Sequence, residues 1–171
     1  MNKSTEQFAE TLEQHQGRVF SIAFRILGES GAAEEVAQDV FLELHRNLPR
    51  LASEDHVVAW LRRVTCHRAT DVLRRRTARR AGAMEELQEE MAQVPLPPAS
   101  SPLMNRMEQL LMTLPPVQRT IMVLRYQEDI EPEDIAIELA MPLATVRSHL
   151  QRALKLLRAK AERTLKEYIR G

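Results

Sequence analysis

A single cysteine, Cys66, excludes an internal disulfide, and neither Cys–Cys nor paired Cys/His spacing exists for a zinc site. Aromatic residues are scarce at 4%, so a core must be built from Leu, Ile, Val, Ala and Met. Small aliphatic cores suit helix packed on helix, and the long Ala/Leu/Glu/Arg-rich stretches have the matching propensity. No apolar run approaches the roughly 20 residues that cross a bilayer. The N-terminal "MNKSTEQFAETLEQHQGR" contains no apolar segment of signal-peptide type. These absences predict a cytoplasmic, metal-free protein without membrane insertion. A Gly-rich phosphate loop, a nucleophile–base motif and a metal cluster are missing too, so neither an enzyme, a cofactor nor a small-molecule substrate is expected.

Net charge is the last absence, with 24 Lys and Arg against 24 Asp and Glu. Its distribution says more than its sum. Residues 1–60 are acidic in excess, through Glu34, Glu35, Asp39, Glu43, Glu54 and Asp55 among others. Residues 61–80 then hold Arg62, Arg63, Arg68, Arg74, Arg75, Arg76, Arg79 and Arg80 against Asp71 alone. Glu85, Glu86, Glu89 and Glu90 follow, and the last thirty or so residues are basic again. Two separated basic blocks on a neutral chain point to local anionic partners.

Periodicity and punctuation predict an all-α chain of two small domains joined by a flexible linker. A first helix spans about Thr5 to Leu27, with Phe8, Leu12, Val19, Ile22, Ala23 and Ile26 inward and Gly28 as its stop. A second, about Ala32 to Asn47, buries Val36, Val40, Phe41 and Leu44, and Pro49 prevents its continuation. Ser53 caps a third helix from Glu54 to Arg80. The boundaries are then an N-terminal domain over 1–81, a linker over 82–101 and a C-terminal domain over 102–171. The linker contains the Pro-rich "VPLPPASSP", with a short acidic helix as an option at its start.

Four helices are expected in the second half: Met104 to Thr113, one opening at Pro115-Pro116, a short one opening at Pro132, and a last one in "MPLATVRSHLQRALKLLR". The final two, joined by a very short turn, form a helix-turn-helix candidate. In the last helix Leu143, Val146, Leu150, Ala153, Leu154 and Leu157 share the inner stripe. Thr145, Ser148 and Gln151 can hydrogen-bond bases or phosphates, and Arg147 can hold guanine in bidentate fashion. Arg152, Lys155 and Arg158 extend the positive face along a phosphate backbone. A solvated surface explains the charges equally well, but not the lack of acids between Glu138 and Glu162, because solvated helices mix signs.

In "WLRRVTCHRATDVLRRR" the apolar face is Leu61, Thr65, Ala69, Val72 and Leu73. Trp60, Arg63, His67, Thr70 and Arg74 lie opposite, with Asp71 and Arg75 beside them. An aromatic among arginines fits unpaired or distorted DNA, since bases stack on rings while cations hold the backbone; a tryptophan closing the core edge is the structural alternative. Arg62 and Arg76 point toward the buried side and should snorkel or pair with acids such as those of the second helix.

Taken together, the chain resembles the sigma-70 family of bacterial transcription initiation factors, specifically the small two-domain extracytoplasmic-function type, over roughly residues 8 to 163. "RILGESGAAEEVAQDVFLELHR" is similar to the family's polymerase-binding helix pair, and the Trp60 helix to its promoter-melting helix. "LPPVQRTIMVLRYQEDIEPEDIAIELAMPLATVRSHLQRALKLLR" is similar to its C-terminal helix-turn-helix. The resemblance implies that Glu35, Val36, Gln38, Asp39 and Phe41 dock on the clamp helices of core RNA polymerase. It implies downstream (−10) promoter contacts at Arg50, Trp60, Arg63, His67, Arg74 and Arg75, with the loop from Arg50 to His56 helping to capture a flipped base. It implies upstream (−35) contacts at Thr145, Arg147, Ser148, His149, Gln151, Arg152 and Lys155, and a linker threading near the RNA exit path. An anti-sigma factor is a further implied partner, and no regulation through an extra C-terminal domain is expected.

Departures from the family pattern are His67 in place of a common Asn, Thr65 and Cys66 beside it, no aromatic in "LASEDHVVAW" before the tryptophan, and Ala140 in place of a turn Gly. Two other functions fit parts of the pattern. A stand-alone helix-turn-helix regulator would not need this first domain, and a sigma mimic that sequesters an anti-sigma factor would not need intact basic faces.

Overall fold

The computed structural model describes residues 2–82 and 102–170. Every regular element among them is helical, and the chain divides into two compact units, Met1–Ala83 and Met84–Gly171. The linker expected over 82–101, with its optional acidic helix, lies outside the described residues apart from Gly82, which still belongs to the helix before it.

In the first unit, α1 (Lys3–Leu27) packs on both α2 (Ser30–Asn47) and α3 (Glu54–Gly82). Gly28 ends α1 at φ 72° in the left-handed region, its N–H returning to the Phe24 carbonyl at 2.7 Å. Pro49 closes α2 through a single 3₁₀ turn, Leu48–Arg50. Ser53 starts α3 as expected, its Oγ accepting from the His56 N–H at 3.3 Å. Between the helices lie Val19, Ile22, Ala23, Ile26, Val36, Val40, Leu44, Leu61, Ala69 and Leu73, each buried. Full burial of one such Leu or Ile contributes about 1.5–3 kcal/mol.

The buried arc of α3 is wider than its apolar stripe, because α1 and α2 both cover it. Cys66 is fully buried, and Thr70, expected on the charged side, is buried as well. Thr65 satisfies its hydroxyl by donating to the Leu61 carbonyl at 2.6 Å. Arg76 turns inward as expected and meets Glu29, the residue before α2, at 2.8 Å. The link to α2 itself comes from Arg68, whose Nε donates to Glu43 Oε2 at 3.1 Å and whose Nη1 lies 3.8 Å from Asp39.

In the second unit, α4 (Pro102–Met112), α5 (Pro116–Met122) and α6 (Pro132–Glu138) all contact the long α7 (Leu143–Arg170). Pro116 and Pro132 occupy first helical positions, where a missing N–H costs nothing. One π-helical turn, Val123–Gln127, carries α5 onward. Ile121, Leu124, Ile135, Val146 and Ala153 are buried to at least 99%. Arg119 is buried among them. Its Nε donates to the carbonyl of Leu111 at 3.1 Å, and its Nη2 to those of Met112 at 2.6 Å and Leu114 at 3.0 Å. A cation thereby caps the carbonyl end of α4. Its burial lowers the guanidinium pKa from the usual arginine value.

The inner stripe of α7 is buried at Val146, Leu150 and Ala153 and half-buried at Leu143 and Leu157, whereas Leu154, expected in it, is exposed at the margin of the stripe.

Candidate nucleic-acid interface

The turn between α6 and α7 fixes the angle at which α7 presents its outer face. Met141 N–H bonds to the Ala136 carbonyl at 2.9 Å and Ala140 N–H to that of Ile137 at 3.3 Å. These are the two crossed bonds of a Schellman motif, and its left-handed position is filled by Ala140 at φ 51°. Glycine is usual there because a Cβ crowds the backbone. The helix-turn-helix thus keeps its turn geometry while carrying a residue that strains it.

Outward from that turn, Arg147, Gln151, Arg152 and Lys155 are exposed and Thr145, Ser148 and His149 half-buried. Arg147, Gln151 and Lys155 follow one another at four-residue steps, so they share a face opposite buried Val146, Leu150 and Ala153. Eight residues of helix rise about 12 Å, close to the roughly 12 Å width of a major groove. His149 is half-buried, with Nδ1 enclosed and without a hydrogen-bond partner. Arg147 is engaged: its Nη2 donates to Glu133 Oε1 at 2.8 Å, from the first turn of α6. Sequence patterning did not single out Glu133, because nothing local pairs residues 14 apart.

On α3, Arg63, His67, Arg74 and Arg75 are exposed and Trp60 is half-buried. Arg50 is exposed at the end of the 3₁₀ turn, and only residues 51–53 separate that turn from α3. The loop expected over 50–56 is therefore mostly helix at its C-terminal half.

The residues expected to dock on polymerase divide. Glu35, Gln38 and Asp39 are exposed on α2. Val36 and Phe41 are 3% and 7% exposed and belong to the core, as their helical phase requires. Phe41 reaches the surface only as one wall of an apolar groove between α1 and α2, with Phe8, Leu12, Phe20 and Leu42. Leu42, 64% exposed, is the apolar side chain that α2 presents outward, and it was not expected. Among the described residues no helix is long and apolar enough to cross a membrane, and no group of His, Cys, Asp or Glu side chains could hold a metal ion.

Comparison with known proteins agrees with this two-unit layout. The family described as sigma-70 region 2 matches residues 11–79, and that described as sigma-70 region 4 matches residues 104–157. The chain is 31% identical over 156 residues to the ECF RNA polymerase sigma factor SigE of Mycolicibacterium smegmatis, covering 87% of this chain and 59% of that protein. It therefore spans less than two thirds of that relative's length. To SigW of Bacillus subtilis it is 25% identical over 164 residues, covering 90% of this chain and 88% of that one. The fold matches that of the sigma factor RpoE, solved in complex with the anti-sigma factor NepR from Bartonella quintana. There the TM-score is 0.72 at 19% identity, over 92% of this chain and 98% of the other. With both family regions present in order on a matching fold, the chain belongs to the sigma-70 family, in its extracytoplasmic-function (ECF) branch.

Proposed function

We propose that this chain is an initiation factor that binds core RNA polymerase, recognises the −35 and −10 promoter elements and helps to melt the DNA, and that it is not itself an enzyme. The observation that carries the reading is the exposed Arg147–Gln151–Lys155 face on α7, acid-free and set on a helix-turn-helix, in a chain whose other unit bears a second arginine-rich face.

In this reading Arg147, Ser148 and Gln151 reach base edges of the upstream duplex, while Arg152 and Lys155 hold phosphates. Thr145 and His149 lie at the margin of that face. On the other unit, extruding a downstream base costs a few kcal/mol. Stacking on the exposed part of Trp60, with Arg50, Arg63, His67, Arg74 and Arg75 along the backbone, offsets that cost. Glu35, Gln38, Asp39 and Leu42 on α2 form the polymerase surface, with Val36 and Phe41 supporting it from beneath. The domain boundaries at about 81 and 102 separate these two jobs. Core polymerase and promoter DNA are the partners, an anti-sigma factor is a further one, and the place of action is the cytoplasm.

Reconstituted transcription tests this. With core polymerase and a genomic template library the chain should yield promoter-dependent run-off products, and Arg147→Ala with Lys155→Ala should abolish most of them. A base-reading Arg is worth about 1–3 kcal/mol. No product with polymerase, alongside tight specific duplex binding by the chain alone, would instead identify a stand-alone regulator. Promoter-dependent transcription indifferent to both substitutions would refute the reading of the α7 face.

A further inference from the structure

We propose that Glu133 is the positioning residue for Arg147, holding its guanidinium in the orientation in which it reads a guanine of the upstream element. The proposal rests on α7 being the duplex-reading helix, as inferred above.

An exposed arginine wanders over many rotamers, and a base contact must first gather them into one. Among the described residues Arg147 is the one cation of α7 seen in an ion pair, and the pair is not made along α7 itself. Its partner comes from α6, across the Schellman turn, at 2.8 Å. The carboxylate is itself fixed. It accepts from its own backbone N–H and from Arg147, which together hold its pKa below the ordinary carboxylate value, and it sits in the first turn of α6 where the helix dipole favours an anion.

The pair has little to do with stability, since Arg147 is 59% and Glu133 55% exposed. What it supplies is direction. A guanidinium has five N–H donors in a planar fork, and the contact to Glu133 is made through Nη2 alone. The remaining donors are enough for a bidentate contact to guanine O6 and N7. Like many exposed ion pairs this one would be incidental on another face; on the reading helix, at its outward arginine, it fixes the direction of the reader.

The test is a binding selection from a randomised duplex library, using the full chain assembled with bacterial core RNA polymerase, followed by sequencing of the bound duplexes. Arg147→Ala should erase the guanine preference at one position, by roughly 5- to 150-fold. Glu133→Ala should weaken the preference at that same position by roughly 2- to 12-fold, leaving other positions alone. Glu133→Gln, which keeps an acceptor of the same reach, should retain most of the preference. If Arg147→Ala erases the preference and Glu133→Ala leaves it intact, positioning is refuted while the reading of α7 stands. Sharper or tighter binding by Glu133→Ala would also refute it, showing that Glu133 competes with DNA for Arg147. If Arg147→Ala changes no position, the base-reading role falls and this proposal with it.

Discussion

Replacing Ala140 by glycine should stabilise the second unit. Ala140 holds φ 51°, where an L-residue costs roughly 1–2 kcal/mol relative to glycine. Glycine also loosens the unfolded chain, which takes back about 0.4–1 kcal/mol. The expected net gain is about 0.5–1 kcal/mol, and a unit of this size should gain roughly 2–8 °C in Tm. Two probes separate the units. Trp60 is the chain's one tryptophan and lies in the first unit, so its fluorescence follows that unit, whereas far-ultraviolet circular dichroism follows both. Ala140→Gly should shift the dichroism transition of the second unit upward and leave the fluorescence transition where it was. Ala140→Val, a β-branched residue at positive φ, should move the same transition downward. An unchanged or lowered second-unit transition in Ala140→Gly would refute the strain argument.

Arg119→Met removes the guanidinium's hydrogen bonds to the carbonyls of Leu111, Met112 and Leu114 and should cost about 2–4 kcal/mol in urea unfolding. Arg119→Lys should recover only part, since one ammonium cannot span the carbonyls of Leu111, Met112 and Leu114. The pH dependence has a definite sign. Glu133 has a folded pKa below its ordinary value near 4.5, so its contribution is present above that value and fades as pH falls through the folded pKa. Because the group is exposed that contribution is small, so Glu133→Gln should lower the second-unit denaturant midpoint only slightly at neutral pH, and the difference from the parent chain should vanish as pH falls through the folded pKa. On α2, Phe41→Ala should cost about 3–5 kcal/mol of stability. Leu42→Ala should leave stability nearly unchanged and weaken assembly with core polymerase, measured by competition for holoenzyme formation.

Element ends were legible because proline and glycine mark them: Gly28, Pro49, Pro116 and Pro132 all act where the chain said they would. Helical phase was equally reliable inside α2, where it put Val36 and Phe41 in the core, and both are buried there; the docking role that the motif resemblance implies for them would fall to the exposed residues of the same helix. Phase alone misjudged Thr70, because an apolar stripe underestimates a helix covered from two sides. Leu154 erred the other way, lying at the margin of a stripe that continues through half-buried Leu157. The charged side chains were least legible. Arg68 on Glu43, Arg119 on α4 and Arg147 on Glu133 depend on which helices meet, and a local pattern carries no such information. At the turn, by contrast, Ala140 was recognisable in advance as a departure, and the structure shows its physical form in the retained left-handed backbone.

The central claim is a two-point grip on promoter DNA, with one unit on the upstream duplex and the other on the melted downstream element. Mapping the 5′ ends of transcripts made by the reconstituted holoenzyme tests it directly. The account predicts that aligned start sites share two short sequence blocks at a constant separation, that Arg147→Ala degrades only the upstream block, and that Trp60→Ala degrades only the downstream one. Start sites sharing a single block, or the loss of both blocks from either substitution, would contradict it.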